Sequence, residues 1–107
     1  MNFNHTLEST DKRLQANVAA CVASLTRYHQ PNQDALLSCG GLIYLVSLLQ
    51  SPDSVCQLNA ANAIEAITEN NVAAQDAVNK MNVTKPLIRL MKLWDISMKE
   101  QGRHTLS

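Results

Sequence analysis

The 107-residue sequence has few aromatic side chains, no excess of either charge and no long apolar run. With only one Trp, two Tyr and one Phe, the core must be built from aliphatic side chains and alanine, a composition typical of closely packed helices. Nine basic residues balance nine acidic ones, whereas nucleic-acid-binding and anionic-membrane surfaces need a basic field. No run approaches the roughly 20 apolar residues that span a bilayer. We therefore expect no nucleic acid and no membrane as a partner.

The three cysteines, Cys21, Cys39 and Cys56, include no closely spaced pair. Their neighbours are apolar or small, which predicts three reduced, buried thiols. The polar first residues also lack the apolar centre of a secretory signal. We expect a cytoplasmic protein, with the nucleus as the alternative.

Patterns typical of enzymes and metal sites are missing from the sequence. His5, His29 and His104 lie far apart, without the His-x-x-x-His or Cys-x-x-Cys spacing of a zinc site. The pair Gly40-Gly41 is typical of a helix cap rather than of a phosphate-binding loop. We predict no enzymatic activity, no cofactor and no metal.

The sequence repeats itself when it is shifted by 42 residues. The alignment needs no gap, and its identities include Gln15 with Gln57, Asn17 with Asn59, Gln33-Asp34-Ala35 with Gln75-Asp76-Ala77, and Leu45 with Leu87. A period of about 40 residues built from helical segments indicates an α-solenoid.

Each unit is predicted to contain three helices. The longest begins after Asp11 and again after Asp53, and these two residues are expected to cap it. Its apolar residues recur at i, i+4, i+7 and i+8, which places them on one face. The sequence also predicts a short helix over residues 33–39 and a leucine-rich helix over residues 42–50.

One stretch resembles an armadillo repeat from start to finish: residues 32–68, NQDALLSCGGLIYLVSLLQSPDSVCQLNAANAIEAIT. It has the short helix ending in Gly-Gly, the leucine-rich second helix, the Ser-Pro-Asp turn and the alanine-rich third helix with its Asn-Ala-Ala. A weaker resemblance is to the armadillo portion of proteins that contain both ankyrin and armadillo repeats.

The resemblance implies an all-α, armadillo-type α-solenoid, a right-handed superhelix of about two and a half repeats of 42 residues. Residues 11–29 would be the third helix of a partial repeat, and residues 30–71 a complete repeat. Residues 72–107 would be a repeat truncated in its third helix. We expect residues 1–10 to be a flexible segment before this armadillo-repeat domain.

The last repeat departs from the pattern at its two turns. Asn82-Val83 replaces the glycine pair, and Asn82 is expected to keep the left-handed bend because Asn tolerates that conformation. Leu93-Trp94 replaces Ser51-Pro52 and makes an exposed turn apolar. Trp94 is expected either to pack on a neighbouring helix or to serve as an exposed anchor for a partner.

Armadillo solenoids hold extended peptides in a concave groove formed by their third helices, and the resemblance implies the same role here. Many members clamp the peptide with a Trp followed four residues later by an Asn. Ala20 and Ser24 occupy these positions in one helix, and Asn62 and Ala66 in the next, so binding of nuclear localisation signals in the importin-alpha manner is not implied. The candidate groove residues are Asn17, Ala20, Ser24, Arg27, Asn59, Asn62, Ala66 and Glu69.

Two interpretations of the polar groove residues stay open. The amides of Asn17 and Asn59 can pair with a peptide backbone, or they can bond to neighbouring helices and stabilise the stack. Alanine at positions 20 and 66 would leave room for bulky ligand side chains.

Two functions from different classes follow. The first is a non-enzymatic protein-interaction module that binds a peptide or protein partner along its concave face. The alternative is a purely structural solenoid segment, or a fragment of a longer repeat protein, without a binding groove of its own. Val18, Leu25 and Tyr28 are expected to be left uncovered at one end, so we expect a fragment, a splice product or a chain that self-associates through uncapped terminal repeats.

Overall fold

The computed structural model describes residues 11–106, with side chains described for residues 11–93, 95 and 96. The described residues form six α-helices and no β-strand. The helices are α1 Lys12–Thr26, α2 Gln30–Ser38, α3 Gly41–Leu48, α4 Ser54–Thr68, α5 Val72–Lys80 and α6 Thr84–Leu106. The predicted all-α fold is confirmed, whereas the handedness of the superhelix and the number of repeats stay predictions. The segment 1–10, predicted to be flexible, lies outside the described residues.

The two long helices, α1 and α4, begin at the expected caps. A carboxylate oxygen of Asp11 accepts hydrogen bonds from the backbone N–H groups of Arg13 and Leu14, at 3.0 and 3.2 Å. A carboxylate oxygen of Asp53 accepts one from the N–H of Cys56 at 2.9 Å. The first amides of a helix have no partner within it, and a carboxylate there also faces the positive end of the helix dipole. Both effects favour these starting points.

The bend before the second helix of each unit also forms as predicted. Gly40 has a φ of 80° and Asn82 a φ of 54°, so both adopt the left-handed conformation. At Gly41, a Cβ atom would lie 2.6 Å from Leu36 Cδ1 and 3.2 Å from the Leu36 carbonyl oxygen, so the Leu36 side chain would have to shift to make room for it. The first residue of the pair therefore turns the chain, and the second lets α3 approach α2 closely.

The core lies where α1 packs along α4 and α3 packs against α4. The contacting sides of α1 and α4 are rich in alanine, which brings the helix axes close together, and leucines of α3 fill the remaining space. The buried core includes Ala19, Val22, Leu42, Leu45, Ala60, Ala63, Ile64, Ile67 and Leu90.

A buried glutamine joins the two units. Gln33 is 2% exposed, and its Nε2 donates to the carbonyl oxygens of Thr26, Ala66 and Glu69 at 3.1, 2.9 and 3.2 Å. Its Oε1 accepts a hydrogen bond from Asn71 Nδ2 at 3.0 Å. One side chain of α2 thus bonds to the ends of α1 and α4 and to the start of α5.

The prediction of a turn at Leu93-Trp94 is wrong, because both residues lie within α6, which is one continuous helix over Thr84–Leu106. The corresponding Ser51-Pro52 follows α3, where proline opposes a helical residue before it. Leu93-Trp94 contains neither proline nor glycine, so the helix continues. The truncated third helix predicted within residues 72–107 therefore does not form as a separate element, and the side chains of Trp94 and His104 lie outside those described.

The prediction of three buried thiols is wrong for two of the cysteines. Cys21 and Cys39 are exposed, and only Cys56 is buried. Cys21 lies on the side of α1 that faces away from α4, and Cys39 follows the end of α2. The Cys56 thiol donates to the Lys12 carbonyl at 2.9 Å, and burial, reinforced by the Asp53 carboxylate, raises its pKa.

Candidate functional site

A groove of about 500 Å³ lies between α1 and α4 and extends over the residues that follow α1. Both helices contribute small or uncharged polar side chains to it, and charge enters only where α1 ends. The lining residues are Ala20, Ala23, Ser24, Arg27, Tyr28, Asn59 and Asn62.

Five of the lining residues are among those predicted from the sequence: Ala20, Ser24, Arg27, Asn59 and Asn62. That they contact a ligand stays a prediction. Ala23 and Tyr28 were not predicted as groove residues. The sequence could have predicted Ala23, because it lies three residues after Ala20 and therefore beside it on the helix surface. The sequence interpretation assigned Tyr28 to a stacking face instead.

The amide of Asn59 is already engaged within the chain. Its Nδ2 donates to the carbonyl oxygen of Ala16 on α1 at 2.9 Å. Of the two interpretations of this amide, the structure therefore shows the second, in which Asn59 bonds to a neighbouring helix. Its counterpart Asn17 is exposed and does not line the groove, whereas Asn62 and Ser24 line the groove and are exposed.

Arg27 bridges the two units at one end of the groove. Its Nη1 lies 3.3 Å from Glu65 Oε1 and 3.6 Å from Glu69 Oε2. All three side chains keep solvent contact, so each pair contributes about 0 to 1 kcal/mol to stability. The main consequence is positional, because the guanidinium is directed towards α4 and towards two carboxylates.

Tyr28 stands at the groove edge in an unfavourable backbone conformation. Its φ is 60°, and its side chain is 78% exposed. The left-handed region costs a residue with a Cβ about 1 to 2 kcal/mol. The corresponding residue of the next unit is Asn70, with a φ of 53°, and Asn tolerates this region better. The chain thus presents an exposed aromatic ring from a strained position.

Besides Asn17, two further predicted groove residues do not line the groove. Ala66 is fully buried, so the expectation that it leaves room for a ligand side chain is wrong. It lies on the side of α4 that faces α2, and its carbonyl oxygen accepts from Gln33. Glu69 is half-buried and pairs with Arg27, but it does not line the groove.

Among the described side chains, no group of three or more His, Cys, Asp or Glu residues could hold a metal ion. Within residues 11–106, none of the helices carries an apolar stretch long enough to cross a lipid bilayer.

Residues 29–68, which span α2, α3 and α4, match the family model of the armadillo/beta-catenin-like repeat. These residues form an armadillo-type repeat, and the resemblance seen in the sequence is confirmed over this part of the chain. Armadillo repeats are generally non-enzymatic, so this match suggests a protein-interaction or scaffold module. Comparison with curated proteins and with solved structures finds no significant match. The additional resemblance to ankyrin-and-armadillo proteins stays a prediction.

The residues that match the armadillo repeat include one of the two helices that form the groove. The second wall of the groove, with Asn59 and Asn62, belongs to the last helix of the matched repeat. The first wall belongs to α1, which precedes residue 29. The candidate site therefore lies between the matched armadillo repeat and the helix before it.

Proposed function

We propose that the chain is a non-enzymatic interaction module that binds an extended peptide of a partner protein in the groove between α1 and α4. The observation that carries this proposal is the groove itself, whose walls are the two alanine-rich long helices. An extended peptide needs hydrogen-bond partners for its backbone and space for its side chains. The groove offers both.

The groove walls suggest what such a peptide contacts. The exposed amide of Asn62 offers both a donor and an acceptor to a peptide backbone, and Ser24 adds a hydroxyl. Ala20 provides space for a ligand side chain between them. Tyr28 supplies an exposed aromatic surface of the kind enriched at binding hot spots.

The charges favour a peptide that is basic rather than acidic at this end of the groove. Arg27 is directed towards Glu65 and Glu69, so its single positive charge is more than offset by two negative charges. Two carboxylates facing one guanidinium leave a net negative charge. A Lys or Arg of the partner would complement it.

A purely structural segment is the second candidate function. The bond from Asn59 to Ala16 favours it, because a predicted groove residue uses its amide to hold the helices together. This function requires no ligand in the groove.

Peptide selection followed by blocking of the groove tests the first proposal. Peptides are selected from a displayed random library against the intact chain, and their affinities are measured by titration with synthetic peptide. We expect Ala20→Trp to fill the groove and weaken binding by at least about tenfold. The matched control is Ile43→Trp, an equally bulky change at an exposed α3 residue that does not line the groove.

Two results would contradict peptide binding in the groove. One is a selection that yields no binding peptide, which favours the structural function. The other is a set of peptides whose affinity Ala20→Trp leaves unchanged while Ile43→Trp weakens it.

We also propose a cytoplasmic or nuclear location. The three unpaired cysteines support it, because two of them are exposed and a reducing compartment keeps such thiols free.

A further inference from the structure

The contact between the two units of this chain is held by hydrogen bonds with defined donors and acceptors. Asn59 Nδ2 donates to the carbonyl of Ala16, at 2.9 Å. Gln33 Nε2 donates to the carbonyls of Ala66 and Glu69, at 2.9 and 3.2 Å. The 42-residue repeat predicts where the corresponding groups lie at each end of the chain.

One end has groups that correspond to those of the later unit, and their side chains are exposed in the described part of the chain. We define this amino-terminal face by Asn17, Leu25, His29 and the carbonyls of Ser24 and Arg27, which correspond to Asn59, Ile67, Asn71, Ala66 and Glu69. Its apolar residue is uncovered, because Leu25 is 55% exposed whereas Ile67 is fully buried. Asn17 is exposed as well.

The other end has groups that correspond to those of the earlier unit, and their side chains are likewise exposed among the described residues. We define this carboxy-terminal face by Leu58 and Gln75, which correspond to Ala16 and Gln33. Leu58 is 38% exposed, whereas Ala16 is 4% exposed. The described part of the chain leaves this side of α4 open because α6 continues past residue 93 and forms no further helix across it.

The donor on the carboxy-terminal face is already oriented. Gln75 Nε2 donates to the Thr68 carbonyl at 2.9 Å, the counterpart of the bond from Gln33 to Thr26. The side chain of Gln75 is nevertheless exposed, whereas that of Gln33 is buried under the following unit.

His29 can take the role of its counterpart Asn71. Its Nδ1 accepts a hydrogen bond from the N–H of Asn32 at 3.2 Å, so the proton of the neutral ring lies on Nε2. That N–H can donate to the Oε1 of a glutamine, as Asn71 Nδ2 donates to Gln33.

We propose that a second copy of this chain docks head to tail, with its amino-terminal face on the carboxy-terminal face of the first. Asn17 of one copy donates to the Leu58 carbonyl of the other, and Gln75 of that copy donates to the carbonyls of Ser24 and Arg27. The argument for a second copy is complementarity, because one chain carries both halves of a bonding pattern that already joins its own units.

The two faces differ, so each copy keeps one face open after docking. Such a heterologous contact propagates into a linear stack when its rotation does not close a ring. The proposal does not depend on peptide binding, because a chain that stacks can have an empty groove and a monomer can have a filled one.

The test is the solution mass of the intact chain, measured by light scattering and sedimentation over a concentration series. Wild type is expected to form species larger than a monomer as concentration rises. Leu25→Glu blocks the amino-terminal face and Leu58→Glu blocks the carboxy-terminal face, so each variant alone is expected to be a monomer. Mixed together, they are expected to form a one-to-one dimer through the two faces that remain intact.

Controls separate docking from effects on folding or charge. Ile43→Glu places the same charge at an exposed residue of α3 and is expected to associate like wild type. Circular dichroism checks that each variant is folded. Asn17→Ala and Gln75→Ala change exposed residues, and each is expected to weaken association about fivefold to tenfold through lost hydrogen bonds.

Three outcomes overturn the proposal. The first is a wild-type chain that stays monomeric throughout the series, which leaves both faces to a different partner. The second is association of Leu25→Glu or Leu58→Glu alone, which indicates a symmetric contact. The third is association that neither Asn17→Ala nor Gln75→Ala weakens.

Discussion

Gln33 shows how a single polar residue can hold two helical units in one arrangement. It is buried, and its amide bonds to three carbonyl oxygens and one asparagine from three different segments. A buried polar group that loses its partners costs free energy, so each of these segments depends on the others being in place. The residue therefore fixes the orientation of the units as well as contributing to their stability.

We predict that Gln33→Ala lowers the free energy of unfolding by about 2 to 3 kcal/mol, because it leaves buried carbonyls without their donor. The matched control is Gln75→Ala. Gln75 is exposed and bonds to Thr68 alone among the contacts described for it, so its loss is expected to change stability by at most about 0.5 kcal/mol. Urea denaturation measures both, at concentrations where the chain is monomeric. Equal losses in the two variants would contradict the role of Gln33.

At the residue scale, sequence interpretation succeeds where the cause is local. Asp11 and Asp53 cap helices, and Asn82 turns left-handed, because each effect involves only the next few residues. It fails for Ala66 and Cys21, whose exposure depends on which distant segment covers them. Ala66 is covered by α2, and Cys21 is not covered by α4.

At the scale of elements, α6 decides the shape of the carboxy-terminal end. The complete repeat has a proline turn at Ser51-Pro52 between its second and third helices, whereas the last repeat has Leu93-Trp94 at that point. Repeat alignment predicts a turn because the neighbouring residues match. A helix continues, however, until a residue such as proline stops it, and neither Leu93 nor Trp94 is such a residue.

We expect the double change Leu93→Ser and Trp94→Pro to break α6. Proline removes one backbone donor and clashes with the carbonyl four residues earlier, at a cost of about 3 kcal/mol within a helix. Amide hydrogen exchange measured by NMR should show lost protection around residues 90–95. Leu93→Ala is the control, because alanine favours the helix and residue 93 is exposed. Unbroken protection from Thr84 through residue 98 in the double variant would contradict this account.

For the whole molecule, stacking would make stability depend on protein concentration. A second copy that binds only the folded chain stabilises it by about 1.4 kcal/mol for each tenfold rise in concentration above the dissociation constant. We therefore predict that the melting temperature of wild type rises by about 5 °C per tenfold increase in this range. Scanning calorimetry measures it.

Leu25→Glu should melt at a temperature that does not change with concentration, because its amino-terminal face is blocked. Ile43→Glu should behave like wild type. A concentration-independent melting temperature for wild type would agree with a monomer and count against stacking.

The sequence by itself determined the helical fold, the caps, the left-handed bends and the family resemblance, because these follow from periodicity and from chemistry within a few residues. It also placed Ala20, Ser24 and Asn62 on the surface that forms the groove. Only the tertiary structure decided that Asn59 bonds to Ala16, that Ala66 is buried and that α6 leaves one side of α4 uncovered. Burial and hydrogen-bond pairing across units depend on where distant segments come together, and repeat alignment alone does not specify those contacts.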